Sequence, residues 1–182
     1  FEYGQSEITD PIDLAYIDGL HLLENAYFDF LKTEAISHTA GVILIDDIFP
    51  NHPLQAKRER ESRAWVGDVW KLVGILSEQR PDLVLIPVNT YPSGTLVVIG
   101  LDPHNTQLAD VFDLVLAGET PDWGPPPKSV LNRENAWHPT DRLLQRILHH
   151  VADARDNGRQ PDIALIQQLI ADGTPRQLVN IR

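Results

Sequence analysis

Four side chains in the first part of the sequence have types and spacing that suit chemistry: Asp18 and His21, three residues apart, and the adjacent acids Asp46 and Asp47. The acids close two short apolar stretches, Ile12-Asp13-Leu14-Ala15-Tyr16-Ile17-Asp18-Gly19 and Gly41-Val42-Ile43-Leu44-Ile45-Asp46-Asp47. Near-continuous runs of Ile, Leu and Val ending in a polar residue read as buried strands of a parallel sheet covered on both faces. Ligands of open α/β sheets sit at the carboxyl ends of neighbouring strands, so Asp18, Asp46 and Asp47 are expected to converge on one cleft. Three carboxylates there form a hard oxygen site of the kind that holds Mg2+, with water and substrate oxygens completing the shell. The arrangement needs a break at Asp46-Asp47, because in an unbroken strand the two side chains point to opposite faces. The plainer reading is that one Asp caps a helix and another accepts from backbone amides. His21 falls on the first turn of the helix leaving Asp18, where an imidazole can take a proton from a substrate hydroxyl near neutral pH. A histidine at a helix start serves equally as a capping or surface residue.

The elements that would position these groups follow in order. Leu23, Ala26, Tyr27, Phe30 and Leu31 recur at helical spacing, so the two strands and this helix make a β-α-β unit with Gly41 opening the second strand. Polar sequence follows, including the alternating-sign run Lys57 to Arg63, which reads as a solvated face or, being just downstream of Asp47, as a lid. Trp65, Val69, Leu72, Val73 and Leu76 predict a helix that ends before Arg80-Pro81, with Trp70 off its stripe. Arg63, Trp65 and Asp68 make a mixed aromatic and charged set that suits a substrate pocket, although core packing also accounts for Trp65. Residues 82–88 and 95–101 are two further strands joined too closely for a crossover, hence an antiparallel hairpin. Leu108, Val111, Phe112 and Val115 mark another helix. Residues 1–118 therefore form an α/β body, 119–140 a Pro-rich strap around Pro125-Pro126-Pro127, and 141–182 a helical extension able to dock on the body or on a second copy. His149 and His150 are successive helix residues that cannot face one ligand.

The bulk composition narrows the function classes. With 182 residues and 42% hydrophobic side chains, the chain is long and apolar enough for a real core. A net charge of −11 repels phosphate backbones and anionic membranes, so nucleic acid and membrane are not expected partners. No apolar run approaches the roughly 18 residues of a bilayer span, and a cytoplasmic location is the expectation. Without cysteine there is neither a disulfide framework nor a thiolate metal site. Because methionine is absent altogether, the sequence reads as a piece of a longer protein.

Three blocks taken together, Ile17-Asp18-Gly19-Leu20-His21, Gly41 to Asp47, and Arg63-Ala64-Trp65-Val66-Gly67-Asp68-Val69-Trp70-Lys71, resemble the C-terminal half of a class I S-adenosylmethionine-dependent methyltransferase of the branch related to catechol O-methyltransferase. The resemblance covers roughly residues 1–103 and ends at Pro103. It implies a partial Rossmann-like sheet whose last strand is antiparallel. It also implies a divalent metal such as Mg2+ on Asp18, Asp46 and Asp47, with His21 where the family more often has a basic lysine. Gly4-Gln5-Ser6 is similar to the family's adenine-contacting turn, which with Asp18 would touch S-adenosylmethionine. The glycine-rich loop after the first strand and the ribose-binding acid after the second have no counterpart, and no Gly-x-Gly occurs in the chain.

What the resemblance implies is transfer of a methyl group from the sulfonium to a hydroxyl of a small-molecule acceptor, with His21 or an Asp accepting the proton. As given, the chain would lack the cofactor-binding half and be inactive alone. A second expectation is a non-catalytic association module in which apolar surface, left where further strands would pack, pairs with another chain, a homodimer being one such pairing. A metal-dependent sugar-nucleotide transferase fits the acidic strand ends but gives no account of the Arg63 to Lys71 block.

Overall fold

The computed structural model describes residues 10–119 and 123–172. The chain is α/β. Strand β1 (Ile12–Ile17) leads through helix α1 (Leu23–Glu34) to β2 (Ser37–Asp46). A 3-10 turn (Pro53–Ala56) precedes α2 (Trp70–Gln79), and β3 (Val84–Val88) and β4 (Thr95–Ile99) follow. Four helices complete the chain: α3 (Gln107–Ala117), α4 (Lys128–Leu131), α5 (Arg142–Asp156) and α6 (Ile163–Asp172).

The strands form one four-stranded mixed sheet in the order β1-β2-β4-β3. β1 and β2 are parallel, while β4 is antiparallel to both of its neighbours, pairing Val88 with Thr95 and Val84 with Ile99 across the expected hairpin. Hence β1, β2 and β3 run one way, and β4, last in sequence, runs the other.

Alternation along the strands supplies two apolar faces. Ile17, Ile43, Ile45, Leu96 and Val98 pack against α1, α2 and Leu108 of α3 on one face. On the other, Val84, Ile86, Val88, Val97 and Ile99 pack against Trp137, Leu144, Ile147 and Val151, with Ile166 of α6 joining them. β4 is buried along its whole length because it lies inside the sheet with helices on both sides. The two C-terminal helices thus dock on the body, and Trp137 adds a one-residue parallel bridge to the outer edge of β3.

At the end of the sheet away from the candidate site, fully buried Arg80 joins the ends of α1 and α2. Its guanidinium donates to both oxygens of buried Glu34 at 2.9 and 3.0 Å and to Asp82 at 2.8 Å, while Glu34 also accepts from Asp102 N. Such a buried pair is tolerable only because every charge has a partner.

Three expectations about the elements are corrected. β1 is not covered on both faces: Leu14 and Tyr16 are 63% and 56% exposed, since β1 lies at the sheet edge. β2 begins at Ser37 rather than Gly41, and the pairing register jumps between Ile12 and Leu14. Gly41 sits in that irregularity, where a Cβ would lie 2.9 Å from the Ile12 carbonyl oxygen. Helix α2 starts at Trp70, so Trp65 lies in the preceding loop and Trp70, expected off the stripe, is buried with Leu72, Ile75 and Leu76.

Candidate functional site

The carboxyl ends of β1 and β2 are neighbours because the strands pair in parallel, Ile17 opposite Ile45. Asp18 is the first residue past β1. The chain then turns through Gly19 and Leu20 and presents His21 just ahead of α1. Asp46 ends β2, and Asp47 takes a left-handed conformation with φ 63°, one of the few non-glycine types that tolerate it. The strand thus breaks where expected, but the break does not bring the two adjacent acids together.

Asp47 turns toward α1. Its Oδ2 lies 3.0 Å from His21 Nε2, and Asp18 Oδ1 lies 3.8 Å from the same nitrogen. One donor atom from each of Asp18, His21 and Asp47 falls within 4.8 Å of the others. Asp46 is held elsewhere: its Oδ2 accepts from Tyr16 Oη at 2.6 Å and its Oδ1 from Ser93 Oγ at 3.2 Å. The structure therefore brings together Asp18, His21 and Asp47, with Asp46 behind them on the Tyr16 side.

The imidazole is oriented by its surroundings. Its Nδ1 lies 2.8 Å from the Trp65 carbonyl oxygen, which can only accept, so Nδ1 carries a proton and Nε2 faces the two carboxylates, sharing a proton with Asp47 Oδ2 at 3.0 Å. The Trp65 ring stacks on the imidazole at 5.2 Å between centroids and is itself fixed by donation from Nε1 to Lys57 O. Gly67, at φ 56°, presses so closely on the His21 backbone that a Cβ would lie 1.6 Å from the His21 carbonyl oxygen.

Asp47 is nearly buried, and removal from water pushes its carboxyl up to about 6; the neighbouring His21 and the Ser93 hydroxyl pull it down, while Asp46 and Asp18 push it up. Burial also raises the Tyr16 hydroxyl, aided by its bond to Asp46.

The substrate-binding candidates divide. Trp65 touches His21. Arg63 is exposed, and its carbonyl accepts from Arg60. The buried carboxylate of Asp68 accepts from Leu23 N, capping α1 in place of the apolar Leu22, and pairs with Arg58 and Lys71. Arg58 continues to Glu24, whose carboxyl this hydrogen bond lowers, so the polar run expected to be a solvated face or a lid is tied to the head of α1. Gly4, Gln5 and Ser6 lie outside the described residues.

Tyr16, Ser93, Arg58 and Gly67 were not singled out by sequence reasoning as functional. Tyr16 was within reach of it, because strand alternation places Tyr16, Leu44 and Asp46 on one face. The other three act across loops, for which no periodicity exists.

As a donor set, Asp18 and Asp47 suit Mg2+, which binds through one or two carboxylates and keeps water for the rest; including the imidazole shifts the preference toward a transition ion. No helix among the described residues is long and apolar enough to cross a membrane. Comparison of the chain with protein-family models, curated proteins and solved structures returns no match.

Proposed function

We propose that the chain takes part in S-adenosylmethionine-dependent methyl transfer to a hydroxyl of a small molecule, with a divalent cation at the strand ends. One observation carries the reading: Asp18, His21 and Asp47 converge where two parallel strands end, in a sheet whose last strand alone runs antiparallel. S-adenosylmethionine supplies the activated methyl group when bound; of the residues expected to touch it, Asp18 alone is described.

Asp18 and Asp47 would hold the cation, whose chemistry is to lower the pKa of the acceptor hydroxyl and fix its direction. Nε2 of His21 is the base. Trp65 O keeps the proton on Nδ1, and the imidazolium formed on taking the hydroxyl proton is stabilised by Asp47 at 3.0 Å. The single lone pair on Nε2 serves as base or as metal ligand, not both together. The two roles separate in His21→Ala, which retains cation binding and loses transfer if His21 is the base, and loses both if it is a ligand.

The test is calorimetry of S-adenosylmethionine with and without Mg2+ or Mn2+, on this chain and on the longest natural form of the protein, followed by transfer of a labelled methyl group to hydroxyl acceptors. Binding that Asp18→Asn weakens supports the proposal. Absence of binding by both forms overturns it.

The exposed edge of β1 favours a second reading, an association module. Its outer backbone edge has no strand partner among the described residues, and Leu14 and Tyr16 stand exposed on it. A sedimentation series showing only monomer across the micromolar range would remove this reading.

A further inference from the structure

On the α5 side of the sheet, next to Asp46, lies a cleft of about 350 Å3 that neither the cation site nor the packing of α5 accounts for. Its walls are apolar: Leu44, Val88 and Val97 from the sheet, Pro139 and Leu144 from the chain that crosses it. Tyr91, 98% exposed, stands at the mouth with its ring free. This volume matches small-molecule sites, which run from about 300 Å3 upward, and is too small for a folded partner.

The polar groups are few, and the one charged group among them is an acceptor. Asp46 is the sole charged residue among those lining the cleft. Each of its oxygens accepts one hydrogen bond, from Tyr16 and from Ser93. An ionised carboxylate offers about four acceptor positions, so two remain for a ligand. The Thr90 and Thr95 hydroxyls bond to each other at 2.8 Å and retain acceptor capacity beside it. No arginine or lysine lines the cleft to receive an anion. The exposed Tyr91 ring attracts a cation through its face, and the chain's net charge of −11 adds a long-range field of the same sense.

We propose that this cleft binds a small molecule with an apolar, ring-sized body and a protonated amine, the body between the sheet and Leu144 and the ammonium on Asp46. The inference goes beyond methyl transfer and does not depend on it. The cleft lies on the α5 side of the sheet, whereas Asp18, His21 and Asp47 gather at the head of α1.

The test titrates the full chain with three probes of similar shape: 2-phenylethylamine, 2-phenylethanol and 3-phenylpropionate, followed by NMR shifts and calorimetry without metal. The expected result is saturable binding of the amine at least tenfold tighter than the alcohol, and none of the acid. Asp46→Asn brings the amine down to the affinity of the alcohol, and Tyr91→Ala, on a fully exposed side chain, weakens the amine several-fold without disturbing the fold. His21→Ala leaves amine binding unchanged, which separates this cleft from the cation site. Equal binding of amine and alcohol, retention of the amine preference in Asp46→Asn, loss of amine binding in His21→Ala, or no saturable binding of any probe would overturn the proposal.

Discussion

Gly67→Ala is the sharpest test of how the site is positioned. A Cβ at this position would lie 1.6 Å from the carbonyl oxygen of His21 and 2.7 Å from its carbonyl carbon, both backbone atoms that no rotamer change can move. To reach even a tight 3.0 Å contact, the two segments must separate by about 1.4 Å. The positive φ of 56° adds about 1 kcal/mol for any residue with a Cβ, and a backbone shift in packed surroundings adds about 1–3 kcal/mol. The variant should therefore lose about 2–4 kcal/mol of stability. The same displacement carries His21 away from Asp47, now 3.0 Å distant, and from the Trp65 carbonyl that sets its tautomer. At the proposed cation site, loss of such orientation should cost about tenfold or more in affinity. Urea denaturation gives the first quantity and Mn2+ titration the second. Gly118→Ala is the control: φ is 70° and nothing lies within 4 Å, so only the conformational cost of about 1 kcal/mol applies. A Gly67→Ala protein no less stable than Gly118→Ala, with unchanged Mn2+ affinity, would refute the reasoning.

Two further outcomes are expected. Glu34→Gln leaves the fully buried Arg80 with Asp82 as its remaining carboxylate and should cost about 3 kcal/mol in urea denaturation, a loss that a merely superficial ion pair would not show. Asp47 titrates near 6 in the fold against about 3.8 ordinarily, chiefly through burial, so the native state holds this proton more tightly than the unfolded chain. Its contribution is greatest below about pH 4 and is lost as the pH rises through about 6, by at most about 3 kcal/mol. Asp47→Asn removes that slope, so the stability difference between variant and parent should move in the variant's favour from pH 4 to 7. Urea midpoints at each pH check this, and a difference that stays flat or moves the other way contradicts it.

The sequence carried what repeats and missed what depends on single torsions. Periodicity revealed α1, α3 and α5, and the short connector revealed the β3/β4 pairing, because these follow from side-chain spacing and chain length alone. The lateral place of β1 is not written in its own residues; Leu14 looks like core, and only the strand order leaves it exposed. In sequence Trp65 continues the stripe that Leu72 and Leu76 extend, but Gly67 at φ 56° breaks the helix ahead of Asp68 and frees Trp65 to stack on His21. At the site, the rule that ligands gather at parallel strand ends grouped Asp18, Asp46 and Asp47, and spacing at the helix start added His21, whereas the structure gathers Asp18, His21 and Asp47 and leaves Asp46 with Tyr16 and Ser93. Strand alternation already sets Asp46 and Asp47 on opposite faces; what it could not supply is the left-handed torsion of Asp47 and the two hydroxyls, thirty and forty-seven residues distant, that hold Asp46. The division has a consequence for chemistry. With Asp47 turned to α1 and Asp46 to Tyr16, two adjacent carboxylates face two environments: one nearly buried beside an imidazole, the other lining an open apolar cleft. A strand ending regularly would likewise place one acid on each face of the sheet; here Asp46 keeps its place in the sheet beside Tyr16, and Asp47, just past the strand in a left-handed conformation, meets His21.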